Sequence, residues 1–129
     1  MKAALTFAAL VGAGGFFGSL ARYSLTLFIQ RQFPGSLFPW GTLAVNLLGC
    51  FLIGIVAGFI QEKQIISPAV SVFVLIGILG GFTTYSTFGY ETFALLREAE
   101  FFRASATVLV HVVAGLALVW LGFGLATWK

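Results

Sequence analysis

The densest group of chemically active side chains is GGFTTYSTFGYE at residues 80–91, where two glycines precede five hydroxyl-bearing residues and a carboxylate follows. Gly80 and Gly81, followed by β-branched Thr83 and Thr84, disfavour a continuous helix. A break there would free backbone N–H and C=O groups. At membrane depth such groups are tolerated only where protein, water or an ion satisfies them. Freed carbonyl oxygens are hard ligands suited to a group-one cation.

Aromatic residues accompany this segment. Phe82, Tyr85, Phe88 and Glu91 recur every three residues past the predicted break, which predicts that they lie along one side of a helix. The edge of an aromatic ring is electropositive and can face an anion. The alternative is packing against lipid or the core, which is common in a chain with 15 phenylalanines.

Two further stripes carry polar groups at helical spacing. Thr42 and Asn46 are four residues apart and are predicted on one face; the Asn46 amide could donate to a substrate or hold two helices together. Thr107, His111 and Gly115 form the second stripe. A lone histidine without a second ligand is poor support for a transition metal, which leaves a proton carrier, a donor in a pathway or a satisfied core residue.

Hydrogen-bond donors dominate this set. Arg22, late in the first apolar segment, either reaches the membrane interface or gives a vestibule positive potential. Such donors suit a small, strongly hydrated anion. The chain has no phosphate-binding G-x-x-x-x-G-K-[ST] loop and no set of nucleophile, base and carboxylate. The residues predict a small membrane pore or carrier for an anion, and not an enzyme.

Four apolar segments position these groups, at about residues 3–29, 40–60, 67–96 and 101–128. Each exceeds the roughly 20 residues that cross a bilayer core. The chain has a mean hydropathy of +1.05 and 9% charged residues. These features predict an all-α membrane protein with a single four-span domain over residues 1–129. The first segment is predicted to be a retained span rather than a cleaved signal, Ser67 and Pro68 to start the third helix, and residues 61–64 to form a turn.

The basic residues are divided evenly between the two sides of such a fold. One side carries Lys2, Lys63 and Lys129, and the other carries Arg31, Arg97 and Arg103 with Arg22 nearby. This near-zero bias predicts dual topology and an antiparallel dimer; the alternative is a weakly biased monomer. The scattered basic residues do not form a nucleic-acid patch.

Glycines are spaced for close contact between helices: Gly14 and Gly18, Gly54 and Gly58, and the group Gly77, Gly80 and Gly81. Small residues four apart let helix backbones approach each other in lipid. The single cysteine, Cys50, excludes an intrachain disulfide and is predicted to be a packing residue.

The segments GTLAVNLLG (41–49), GILGGFTTYSTFGYE (77–91) and GGFFGSLARY (14–23) together resemble the Fluc (CrcB) family of fluoride channels. The resemblance implies a four-helix subunit whose third helix is broken near its middle. It also implies an antiparallel, dual-topology homodimer in the bacterial inner membrane. Two pores would let fluoride leave the cell down its gradient, and a central sodium ion would be structural.

The same resemblance assigns residues. Gly80 and Thr83 would bind sodium through their backbone carbonyls, and the ring edges of Tyr85 and Phe88 would face fluoride. The remaining implied pathway positions are Asn46, Ser86, Thr87, Glu91 and Arg22, to which Thr42 and, weakly, His111 are added. Tyr85 departs from the phenylalanine that is usual in the family, but keeps the ring edge.

Two other classes of membrane protein compete with this assignment. A small multidrug-resistance transporter also has four short spans and dual topology, but it needs a carboxylate in its first span, where this chain has Arg22 and no acid. A non-transporting assembly or lesion-forming protein would not need Asn46 or the hydroxyl cluster.

Overall fold

The computed structural model describes residues 2–61 and 66–128, which are helical apart from their connections. Within these ranges, four helices are long and apolar enough to cross a membrane: Lys2–Arg31, Trp40–Gln61, Pro68–Arg97 and Phe101–Thr127. They are called the first to fourth spans below. The four predicted segments are confirmed, and their ends lie close to the predicted ones.

The third span is interrupted, as predicted. Its first half runs through an α-helical turn (Pro68–Ser71), a π-helix (Val72–Leu79) and a short α-helix (Gly80–Phe82). Thr83 and Thr84 are then extended, with φ/ψ of −84/159° and −149/117°. The α-helix resumes at Tyr85–Arg97. The π-helix was not predicted, because an apolar run of this composition does not distinguish the rare π geometry from an α-helix.

The predicted start of the third span is also confirmed. Ser67 is the N-cap, and its Oγ accepts a hydrogen bond from the Val70 N–H at 3.4 Å. Pro68 follows at the first helical position, where its missing N–H costs nothing.

Glycines bring the spans together in two pairs. A Cβ at Gly14 would lie 2.6 Å from the Phe73 carbonyl oxygen, so the first span packs backbone to backbone on the third. A Cβ at Gly58 would lie 2.7 Å from Ala126 Cβ and 3.1 Å from the Phe123 carbonyl oxygen, so the second span packs closely on the fourth. The predicted close packing is therefore confirmed for these two pairs of spans. Gly80 differs, because the nearest atom to its Cβ position is the Leu75 carbonyl oxygen at 3.7 Å.

The predicted turn at 61–64 lies outside the described residues except for Gln61, which ends the second span. Lys63 and Lys129, two of the charges in the topology argument, also lie outside them. Of the described charges, Arg31 and Arg97 lie at the last turn of their helices. Arg103, at the start of the fourth span, forms an ion pair with Glu100 at 2.6 Å.

Candidate functional site

The break in the third span is held by one side chain of the second span. The backbone N–H of Thr84 donates to Asn46 Oδ1 at 2.8 Å, and Asn46 Nδ2 donates to the Thr84 carbonyl at 3.0 Å. Asn46 thus satisfies both backbone groups of an extended residue at membrane depth, where hydrocarbon offers no hydrogen-bond partner. An amide nitrogen carries two hydrogens, so Nδ2 keeps a second one for another acceptor.

The two carbonyls predicted to bind a cation differ in their surroundings. In a continuous α-helix the Thr84 N–H would donate to the Gly80 carbonyl, but here it donates to Asn46. Gly80 therefore lacks its usual helical donor, and it is exposed. The Thr83 carbonyl instead accepts from Arg22 Nη1 at 3.3 Å.

Arg22 thus contacts the break itself. The sequence had suggested instead that it reaches the membrane interface or gives a vestibule positive potential. It approaches the third span from the first, which packs against the residues just before the break through Gly18 and Phe82. Thr83 is held from its own span as well, because its N–H and its hydroxyl each donate to the Leu79 carbonyl at 3.0 Å.

The predicted stripe of Phe82, Tyr85, Phe88 and Glu91 is wrong at its first member. Phe82 precedes the break and is 7% exposed, so the extended residues separate it from the other three. The rings of Tyr85 and Phe88 do form a pair, with centroids 5.7 Å apart. Tyr85 is 85% exposed whereas Phe88 is half-buried.

Thr42 and Asn46 face the same half of the third span, as their spacing predicted. The hydroxyl of Thr42, which is buried, donates to Glu91 Oε1 at 2.9 Å. The other carboxylate oxygen, Oε2, is buried and has no hydrogen-bond partner among the described residues.

Ser86 and Thr87 lie at the surface of the first turn after the break. Thr84 is the N-cap of this helix, since its Oγ1 accepts from the Thr87 N–H at 3.3 Å. The same oxygen donates to Thr87 Oγ1 at 3.0 Å. Thr84 was not among the predicted site residues, although a threonine before a helix start is a recognisable capping signal.

His111 of the fourth span packs against Phe88, with ring centroids 4.4 Å apart. Its Nδ1 lies 2.8 Å from the Thr107 carbonyl. The Thr107 hydroxyl donates to the Arg103 carbonyl at 2.8 Å and so stays within its own helix. Gly115 continues the predicted stripe and faces Cys50, whose Sγ would lie 3.4 Å from a Cβ there.

Most of the candidate residues surround two cavities. The larger, of about 380 Å³, includes in its lining Asn46, Gly80, Thr83, Tyr85, Phe88 and His111. The smaller, of about 240 Å³, includes Thr42 and Glu91. Arg22, Ser86 and Thr87 line neither of these two. The break, Asn46 and the aromatic pair therefore form one group, which is called the break cavity below and is defined by the lining of the larger cavity.

Comparison with known proteins places this geometry in a family. A model described as "CrcB-like protein, Camphor Resistance (CrcB)" matches residues 9–123. The chain is 46% identical over 122 residues to a protein of Citrifermentans bemidjiense named "Fluoride-specific ion channel FluC", covering 95% of each chain.

Two other relatives carry the same name. A protein of Methylobacillus flagellatus is 44% identical over 116 residues, which cover 90% of this chain and 91% of the relative. A protein of Chlorobium phaeobacteroides is 43% identical over 117 residues, which cover 91% and 90%.

Proposed function

The chain belongs to the CrcB-like protein family, and on that premise we propose that it is a fluoride-selective ion channel that exports fluoride passively. The relatives that match nearly their full length are named as fluoride-specific ion channels. The observation that carries the proposal is the break cavity, where an amide donor and two aromatic rings meet at an interruption of a membrane span.

The chemistry of the break cavity suits fluoride. A small anion that leaves water must exchange its hydration shell for donors. The second hydrogen of Asn46 Nδ2 and the electropositive edges of Phe88 and Tyr85 supply such contacts without a competing negative charge. Hydroxyls and charged groups extend the pathway toward its ends, and we assign this part to Ser86, Thr87, Thr42, Glu91 and Arg22.

A passive pore is sufficient for export. Fluoride enters as neutral HF and dissociates inside the cell. A negative potential in the bacterial inner membrane then drives the anion out, at about 2.3 kcal/mol per charge per 100 mV. The multi-pass membrane protein needs no nucleotide or proton gradient for this direction of transport.

A structural sodium ion fits the carbonyls at the break. Gly80 is exposed and has lost its helical donor, so its oxygen is open to a cation. A carbonyl oxygen has two lone pairs, and Arg22 uses one on Thr83. Sodium bound by Gly80 and Thr83 would neutralise carbonyl dipoles that lack partners within the interrupted helix. Two oxygens are fewer than an alkali cation requires, which supports a second subunit at this point.

Exposure of polar groups beside the break also supports a homodimer. Ser86, Thr87 and Gly80 are exposed in a single subunit, and Tyr85 is 85% exposed. Irregular backbone and hydroxyls at membrane depth need protein or a water-filled cavity around them. A second copy in antiparallel orientation would cover this surface and is consistent with the even charge count.

The test is fluoride efflux from liposomes that contain the purified protein, with chloride as the control anion. We expect fluoride release and no chloride release when the interior of the liposomes is made negative, because that potential drives an anion out through a passive pore. A small multidrug-resistance transporter would instead carry organic cations against protons and leave fluoride inside. Efflux equal to that of protein-free liposomes would contradict the channel assignment.

A further inference from the structure

His111 is the single histidine of the chain, and only one of its ring nitrogens is satisfied. When Nδ1–H donates to the Thr107 carbonyl at 2.8 Å, the neutral ring leaves a lone pair on Nε2. Nε2 is buried and has no hydrogen-bond partner among the described residues. Leaving a buried polar atom unpaired costs free energy, so the ring is not a fully satisfied core histidine.

The imidazole also contacts the residue on which the anion pathway depends. Its centroid is 4.4 Å from that of Phe88, at an interplanar angle of 44°. This is within the roughly 6 Å over which a cation interacts with an aromatic ring. A protonated imidazole would draw π-electron density toward itself and make the free edge of Phe88 more electropositive. The short distance between the two rings therefore links the charge on His111 to the affinity of Phe88 for an anion.

No counter-charge for an imidazolium lines the break cavity. The titratable groups on its walls are Cys50 from the second span and Tyr85 from the third. Glu91 lines the other cavity and is bonded to Thr42. On the fourth span, Arg103 is paired with Glu100 near the helix start. Within the break cavity, an anion would supply the negative charge that the walls lack.

We propose that protonation of His111 and binding of fluoride in the break cavity are coupled, so that fluoride flux rises as the ring is protonated. The proton comes from water that reaches the cavity, and one proton and one fluoride bind without net charge. The imidazolium gains a donor at Nε2 in place of the unpaired acceptor. This inference rests on the proposed function and adds a proton-linked residue to it.

Nuclear magnetic resonance of the protein labelled with ¹⁵N-histidine tests the coupling directly, because a protein without a polyhistidine tag gives signals from His111 alone. Spectra between about pH 4.5 and 8.5 compare the protonated and the neutral ring. In the absence of fluoride the neutral ring should show the Nδ1–H tautomer. At the pH where half of the rings are protonated without fluoride, added fluoride should raise the protonated fraction by about 1.5-fold or more. The same concentration of chloride should not.

A protonated fraction that is the same in fluoride and in chloride would overturn the coupling. So would a neutral ring protonated at Nε2. These spectra use the wild-type chain, so they decide the proposal even if a variant does not fold.

Flux measurements provide a second, independent test. Wild-type fluoride efflux should be about threefold or more faster at about pH 5 than at about pH 8, because a histidine gains its charge as the pH falls. In His111→Gln the amide does not titrate, and the two rates should be equal. Cys50→Ala removes another titratable group from the same cavity and should keep the wild-type ratio. Protein-free liposomes at each pH measure the leak of HF, which is subtracted.

A His111→Gln variant with the wild-type pH ratio would overturn the proposal. If the wild type shows no efflux at any pH, the channel function itself is wrong. The response of the His111 spectrum to fluoride then decides the coupling on its own.

Discussion

The side chain of Asn46 forms two hydrogen bonds with the backbone of Thr84, one as acceptor at 2.8 Å and one as donor at 3.0 Å. This pairing lets the third span leave helical geometry at membrane depth without unpaired polar groups at Thr84. It also fixes the position of the break relative to the second span. Because the N–H of Thr84 is taken by Asn46, the Gly80 carbonyl is left without its helical donor. One amide therefore serves the structure of the break and supplies a free hydrogen at the cavity wall.

Asn46→Asp should stop fluoride flux and destabilise the fold. The carboxylate can still accept from Thr84 N–H, but it cannot donate to the Thr84 carbonyl, and its charge repels an anion. Leaving that carbonyl unpaired should cost about 1–3 kcal/mol. Liposome efflux and thermal unfolding in detergent measure the two effects. Gln32→Glu is the matched control, because it makes the same change from amide to carboxylate at an exposed residue that lines neither cavity; it should leave efflux and unfolding unchanged. Wild-type efflux from Asn46→Asp would remove Asn46 from the pathway.

Phe88→Ile should stop conduction while the protein still assembles. Isoleucine keeps apolar bulk but has no ring quadrupole, so the contact with the anion is lost. Tyr85→Phe is the control, because it keeps the ring edge beside Phe88 and removes only the hydroxyl of an exposed residue; it should retain activity. Efflux and gel filtration report conduction and assembly. Equal rates for Phe88→Ile and the wild type would show that fluoride does not pass this ring.

Replacing sodium by a larger cation should abolish fluoride flux, because the carbonyl ligands at Gly80 and Thr83 accommodate one ion size. The ligands are backbone groups, so Thr83→Ser should be mild, and it keeps the hydroxyl that donates to Leu79. Thr83→Pro should abolish flux, since proline lacks the N–H that donates to the same carbonyl. Efflux is measured in sodium and in a sodium-free buffer. Full flux without sodium would rule out the ion.

Gly14→Ala should separate the first and third spans. The added Cβ would lie 2.6 Å from the Phe73 carbonyl oxygen and 2.8 Å from Gly77 Cα. Both atoms belong to the backbone of the third span, which cannot move aside without separating the two spans. Overpacking of this kind costs about 1–3 kcal/mol. Gly12→Ala, on the same helix with nothing within 4 Å of its Cβ, should not lower stability, because alanine favours a helix more than glycine does. Thermal unfolding in detergent compares the two. An equal effect of both substitutions would show that the contact with the third span is not tight.

Dual topology predicts that the C-terminus lies on both sides of the membrane. A cysteine at residue 129, which is outside the described residues, is introduced into a chain carrying Cys50→Ala so that it is the only thiol. An impermeant thiol reagent applied to intact cells and then to permeabilised cells should label comparable amounts in each step. Labelling confined to one step would mean a fixed orientation and would leave the antiparallel homodimer without support.

The sequence by itself determined the elements. Four long apolar segments can satisfy their backbone only as helices in lipid, and glycine followed by β-branched residues weakens a helix locally. For that reason the four spans and the interruption near Thr83 were predictable. The close helix packing at Gly14 and Gly58 was predictable from spacing, because a missing side chain is a property of the residue itself.

Only the tertiary structure decided which groups meet at the break. Asn46 pairs with Thr84 across 38 positions, and Arg22 with Thr83 across 61. Such pairs depend on the rotation and register of whole helices, which local propensity does not specify. Phe82 was misplaced because it lies before the extended residues Thr83 and Thr84. Helical spacing therefore does not relate it to Tyr85, Phe88 and Glu91, which follow the break. The contact between His111 and Phe88 likewise exists because the fourth span packs beside the second half of the third.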